Sequence, residues 1–250
     1  MPRFERHIGI DYSGAATPET PLPGIRIAEA RGRRCGPVET SGHWSRRTAA
    51  EWILETLREK SPAILGIDHA FSFPAAWFEA TGVEKSWPAF LADFSKRWPT
   101  DRHGSRVEDF RKLPANRTGS ARWRRLAELR CGAKSVFHFD VPGSVAKSTH
   151  AGIPWLAFLR RELGDRIHFW PFDGFDIPPG HHAIAEVYPS LWRKSPPPPG
   201  TSPDAFDALT IASELHRADQ SSDLEKMLHP DFSAEEKKTV LFEGWILGVR

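Results

Sequence analysis

The chain has 250 residues, 40% hydrophobic and 26% charged, ordinary values for a globular protein that buries its core in one domain. No apolar run approaches the ~20 residues of a membrane span, and the opening MPRFERH lacks the apolar core of a secretory signal, so no membrane partner and a cytoplasmic location are expected. The net charge of +2 indicates no partner until its distribution is examined. Twenty-two prolines and ten tryptophans predict long, ordered loops packed by aromatics. Cys35 and Cys131 have no metal-ligand spacing, and reduced thiols are expected in preference to a disulfide.

In chain order, Phe4 to Ala15 rises into Ile8-Gly9-Ile10 and reads as a strand that delivers Asp11 at its end, before a Ser13-Gly14-Ala15 turn. Thr17 to Gly24 carries three prolines and reads as a loop. Ile25–Ala30 and Cys35–Thr40 read as strands joined in a hairpin at Arg31 to Arg34. Ser45 is placed to cap a helix reaching Lys60, with Ala49, Trp52, Ile53 and Leu57 on one face. Pro62 stops it, and Ile64 to Asp68 repeats the first strand's plan by ending in Gly66-Ile67-Asp68. A crossover helix between two strands implies that the second lies parallel to the first. Two parallel neighbours would then hold Asp11 and Asp68 side by side.

Short helices are predicted over Ala75–Ala80 and Pro88–Arg97. From Arg97 to Lys134 the composition shifts to eleven Lys and Arg against four acids. This segment is strongly basic while the remainder of the chain is acidic, which makes it a candidate polyanion-binding surface. Arg111, Lys112, Arg117, Arg122, Arg124 and Arg125 are its candidate contacts to nucleic acid; a solvated helical face is the alternative. A helix is predicted over Ile153–Leu163, and strands over Arg166–Trp170 and Ala183–Tyr188. The Pro-rich run from Lys194 to Pro203 is an extended connector. Ser202-Pro203-Asp204 starts a helix reaching Arg217, followed by helices at Asp223–Leu228 and Ala234–Leu241 and an apolar tail over Gly244–Val249. The fold class expected is α/β: a mixed sheet of three antiparallel strands then parallel ones, flanked by helices. It forms a single domain over 1–250 with an inserted basic helical segment at about 75–150.

Asp204 and Asp207 are spaced i, i+3 and share one face of a helix's first turn. Capping accounts for Asp204 but less readily for Asp207, which lies on the packed side near Ala208 and Ile211. Mg²⁺ or Mn²⁺ takes hard oxygen ligands and keeps waters for substrate phosphates, and paired ions activate water and stabilise a leaving oxygen in phosphoryl displacement. Asp11, Asp68, Glu186, Asp204 and Asp207 are therefore the candidate catalytic acids, with Asp11, Asp68, Glu186 and Asp207 as metal ligands. Each acid alone is more simply a cap or a surface charge; the joint pattern carries the argument.

This order of elements, with acids on the first and fourth strands and on a late helix, resembles the ribonuclease H-like superfamily. Asp204-Ala205-Phe206-Asp207-Ala208 is similar to the terminal-helix signature of its bacterial Holliday-junction resolvases. A nearer resemblance is to the domain of unknown function 429 family, described as predicted ribonuclease H-like nucleases. It is carried by Gly9-Ile10-Asp11, Gly66-Ile67-Asp68 with Phe73-Pro74, Phe169-Trp170-Pro171-Phe172, Glu186-Val187-Tyr188-Pro189-Ser190, Asp204 to Ala208, and Glu243-Gly244-Trp245-Ile246. The resemblance implies a metal-dependent nuclease that hydrolyses phosphodiester bonds through carboxylate-bound Mg²⁺ or Mn²⁺. It departs from the resolvases at Asp68, where they usually carry Glu. The alternatives are a non-catalytic binding or scaffold protein of the same fold, and an actin-like phosphotransferase, for which 250 residues leave little room.

Other residues carry two readings each. His181-His182 reads as an exposed loop pair or a metal contact, and His69 as a core histidine or a proton carrier. Ser13-Gly14 reads as a tight turn or a phosphate-binding nest. Trp123 reads as packing or as a base-stacking platform.

Overall fold

A computed structural model describes residues 2–250. β1 (Arg6–Asp11) pairs antiparallel with β2 (Arg26–Arg31), which pairs antiparallel with β3 (Arg34–Pro37). α1 (Arg46–Thr56) crosses over to β4 (Ala63–Asp68), parallel to β1. There follow α2 (Ala75–Thr81), α3 (Trp87–Arg97), α4 (Val107–Arg111), α5 (Leu126–Cys131) and α6 (Ala146–Leu163). β5 (Ile167–Trp170) and β6 (His182–Glu186) complete one six-stranded sheet of order β3-β2-β1-β4-β6-β5, with β6 parallel to both β4 and β5. The chain closes with α7 (Pro203–Gln220), α8 (Asp223–Leu228) and α9 (Ala234–Glu243). The expected mixed α/β sheet, antiparallel then parallel, is the observed architecture.

Strand alternation sorts the side chains of β1 and β4 to opposite faces. Ile8, Ile10, Leu65 and Ile67 enter a core with Ile53 of α1 and Leu159 of α6. The other face carries Gly9 and Gly66, which are register partners, and α7 lies on them. A Cβ on Gly9 would stand 2.2 Å from the Ala208 carbonyl oxygen, and one on Gly66 would stand 2.7 Å from Ile211 Cγ2. Two glycines side by side therefore make the platform on which α7 approaches the sheet at backbone contact. α1 begins as its sequence demands: Ser45 Oγ accepts from the Thr48 amide at 3.1 Å while Thr48 Oγ1 accepts from the Ser45 amide at 3.0 Å, a reciprocal cap.

α6 begins at Ala146, seven residues before the predicted start at Ile153, and runs through Gly152 and Pro154. A proline inside a helix leaves the carbonyl four residues back without its donor. Here that carbonyl belongs to His150, and Thr100 Oγ1 donates to it at 2.7 Å. Gly152 is required because the His69 ring lies against it, 2.3 Å from where a Cβ would sit. Both helix breakers are thus satisfied from outside the helix, by contacts no local pattern carries.

The segment at 75–150 is not set apart from the domain. Phe73, Trp77, Phe78, Phe90 and Phe94 form an edge-to-face and tilted array with ring centroids 5.2–5.7 Å apart, continuous with the core under β1 and β4. Trp123 meets Phe137 edge-on at 6.3 Å and packs against the same core, which is the packing reading of that residue. The apolar tail runs beside β6, where Ile246 bridges Glu186 and the Leu247 amide donates to the Glu186 carbonyl at 2.9 Å. Cys35 and Cys131 are both free thiols. No helix among the described residues is long and apolar enough to cross a membrane.

Candidate active site

Asp11 and Asp68 are register partners at the C-terminal ends of parallel strands, so their backbones stand about 4.8 Å apart. Each lies two residues beyond a platform glycine, and so each side chain leaves the sheet on the α7 face. Asp204 is one helical turn before Ala208, the residue that rests on Gly9, and Asp207 is one turn before Ile211. The glycine platform and the helix repeat together bring four aspartates over the ends of two strands. Asp204 lies within hydrogen-bonding reach of Asp11.

The electrostatics follow from that crowding. Asp11 is pushed up to about 9, first by burial and then by Asp68, Asp204 and Asp207. Asp68 is pushed up to about 8 by burial and by Asp207 and Glu186, and Arg193 opposes the rise. Carboxyls that crowd one another this way hold protons at neutral pH unless a cation neutralises them.

Two of the expected acids are taken by arginines. Glu186 receives a two-pronged contact from Arg125, whose Nη1 and Nη2 each donate to one carboxylate oxygen at 2.6 Å. Arg125 also donates from Nε to Glu128 at 2.9 Å and from Nη1 to the Glu243 carbonyl at 3.3 Å. Arg125, Glu128 and Glu186 are all buried. Burial disfavours the charged guanidinium, but Glu186 and Glu128 more than offset it, and the net effect is to hold Arg125 above its ordinary value. This corrects the expectation that Arg125 contacts nucleic acid: its side chain is 1% exposed and holds the interior together. It also corrects Glu186 as an open metal ligand, since both its oxygens are committed to Arg125. Asp207 is gripped by Arg193, whose Nε donates to Oδ1 at 2.5 Å and whose Nη2 donates to Oδ2.

The remaining basic candidates divide. Arg111 pairs with Asp140 at 2.8 and 2.6 Å and lies over the Phe139 ring. Lys112, Arg117, Arg122 and Arg124 are exposed, with Arg117 donating to the Lys112 carbonyl at 3.4 Å. His182 lies at the start of β6, the end of the sheet opposite the aspartates, where its Nδ1 accepts from the Ala63 amide at 3.2 Å. His69 is buried against Tyr12 and Gly152, its Nδ1 donates to the Ala70 carbonyl at 2.9 Å, and burial holds it down to about 4. It is a neutral core histidine that borders the site. Gly14 abuts the first turn of α6, where a Cβ would stand 2.1 Å from the Lys147 carbonyl oxygen; close approach explains the small residue.

Arg193, Arg125, Glu128 and Glu243 shape the site without having been picked out by sequence reasoning for these roles. The spacing of Arg125 and Glu128, i and i+3, was a legible pairing signal hidden inside a basic run. Glu243 accepts from the Leu126 amide at 2.8 Å and from the Ala75 amide, so one carboxylate caps both α5 and α2. Beside Asp68 lies a cavity of about 120 Å³ bordered by His69, Arg125, Glu128, Glu186 and Lys134. Among the described residues no group of three or more His, Cys, Asp or Glu side chains is spaced as a ready metal cage. The chemistry of the aspartates nonetheless suits a hard divalent cation: all are oxygen donors, and their crowding is relieved by positive charge. The chain matches no protein-family model, no curated protein and no solved structure.

Proposed function

We propose that this chain is a ribonuclease H-like, divalent-metal-dependent phosphodiesterase acting on nucleic acid. The observation that carries the reading is the in-register pair Asp11 and Asp68 beneath Asp204 and Asp207, four carboxylates delivered by two strand ends and one helix start. The sheet order β3-β2-β1-β4, the α1 crossover and a late helix lying across β1 support the superfamily reading. Asp11, Asp68, Asp207 and Asp204 would hold Mg²⁺ or Mn²⁺, which supplies water activation and charge stabilisation at phosphorus when bound. The chain's own residues prepare that chemistry. The glycine platform fixes α7 so that its aspartates reach the strand ends. Burial and the neighbouring acids push the carboxyls of Asp11 and Asp68 up, so that a cation among them is favoured. The buried Arg125–Glu186 pair holds β6 and α5 rigid along one wall.

The exposed Lys112, Arg117, Arg122 and Arg124 would bind backbone phosphates. The test is cleavage of branched, duplex and hybrid substrates with Mg²⁺ or Mn²⁺ by the wild-type chain and by Asp11→Asn. Cleavage by the wild type alone is expected; equal cleavage by both proteins removes the assignment. A second reading, a non-catalytic binding protein of the same fold, is favoured by the arginine pairing of Glu186 and Asp207. It prevails where calorimetry detects no divalent-ion binding.

A further inference from the structure

Two arginines neutralise acids at the candidate site, and they differ in one physical respect. Arg125 is interior: its partners Glu128 and Glu186 are buried with it, and removing it would strand two carboxylates in the core. Arg193 is peripheral: its side chain is 39% exposed and Asp207 is its only acidic partner within ion-pair distance among the described residues. It follows a single 3-10 turn, Pro189–Leu191, and precedes the Pro-rich connector. It borders a groove of about 690 Å³ that also holds Lys194, Arg217, Lys226 and Arg250; Glu214 and Asp223 pair with the first three of these, which leaves Arg193 to supply the charge a phosphate would meet there. A guanidinium there has somewhere to go that breaks no core contact.

Resting on the metal-dependent reading above, we propose that Arg193 is a displaceable counter-ion. It occupies Asp207 when no divalent cation is bound, and on release by the cation it binds substrate phosphate from the adjoining groove. The geometry supports both halves. The two-pronged grip covers the Asp207 oxygens a cation would need, and Arg193 also lies in the field of Asp68 and Asp11. Asp207 is buried and only the Arg193 side reaches solvent, so the arginine leaves only when another positive charge takes its place; a divalent ion drawn by several carboxylates supplies that charge. A planar guanidinium freed at the groove's edge matches phosphate geometry. The inference also divides the acids: Asp207 becomes available on cation binding, whereas Glu186 stays with Arg125.

Calorimetric titration of the full chain with Mn²⁺ tests this, using wild type, Arg193→Gln and Arg193→Lys, each checked for fold by circular dichroism. Because the latch competes with the ion, Arg193→Gln is expected to bind Mn²⁺ about five- to tenfold tighter, with Arg193→Lys between the two. Anisotropy of fluorescein-labelled single-stranded DNA gives the second half. Saturating Mn²⁺ should tighten DNA binding to the wild type, and Arg193→Gln should lose most of that gain. Equal Mn²⁺ affinity in wild type and Arg193→Gln overturns the latch while leaving the metal reading intact. A Mn²⁺-induced gain in DNA binding that survives Arg193→Gln overturns the phosphate role. No Mn²⁺ binding by any of the three proteins overturns the metal reading and the latch with it.

Discussion

Asp11 shows how one residue acquires its character from its neighbours. As a lone aspartate it would ionise near pH 4; in the folded chain it is held up to about 9, and Asp68 to about 8. The consequence for stability has a definite sign. Between about pH 4 and pH 9 the folded state binds more protons at these two groups than the unfolded state does, so their contribution falls as pH rises through that window. Chemical denaturation of the chelator-treated protein at about pH 6, 7 and 8 should show this decline. Saturating Mg²⁺ should flatten it, because the cation does the neutralising in place of the protons. Asp11→Asn should raise the melting temperature of the chelated protein at about pH 8 by ~2–4 °C, the shift that ~1 kcal/mol produces in a chain of this size. A variant less stable than the wild type under those conditions would contradict the crowding.

Among the elements, α7 decides the geometry of the site, and what fixes α7 is the pair of glycines beneath it. In most strand interiors replacing glycine by alanine is neutral or helpful, because glycine is entropically costly there. At Gly9 the added methyl meets the Ala208 carbonyl oxygen and the Ala212 amide nitrogen at 2.2 and 2.6 Å, backbone atoms that cannot rotate away. At Gly66 it meets the side chains of Ile211, Val187 and Leu215 instead. Gly9→Ala should therefore destabilise by about 2–3 kcal/mol and Gly66→Ala by less, read as denaturation midpoints. Gly9→Ala should also weaken any metal binding, since α7 must lift and carry Asp204 and Asp207 with it. The glycine of each Gly-Ile-Asp motif is as much part of the site as its aspartate.

Across the whole molecule, positive charge is used in two ways that composition cannot separate. Arg125 is internal mortar between α5, β6 and the α9 terminus, while Arg122 and Arg124, in the same short run, face solvent. If the surface half binds nucleic acid, Arg122→Ala and Arg124→Ala should each reduce the slope of log affinity against log salt by about 0.9 on duplex DNA. Arg111→Ala should do less, because Asp140 already pairs with it. Unchanged slopes for Arg122→Ala and Arg124→Ala would move the nucleic-acid surface elsewhere, with the groove beside Arg193 the next candidate.

Much of this protein was legible in the residue order. Period-two alternation, the Ser45 cap, the Pro-bounded loops and the repeated Gly-Ile-Asp are local signals, and local signals determine strands, helix starts and turns. The crossover rule then makes the two Gly-Ile-Asp strands parallel, and their repeated motif suggests the side-by-side placement of Asp11 and Asp68 that the β1–β4 register shows. What only the tertiary structure decided are the choices made by partners distant in sequence. α6 runs through Gly152 and Pro154 because Thr100 and His69 accommodate them. β6, and not β5, lies beside β4. Glu186 turns to Arg125 and Asp207 to Arg193, because in a low-dielectric interior a carboxylate takes the nearest fitting cation, and nearness is a property of the folded chain.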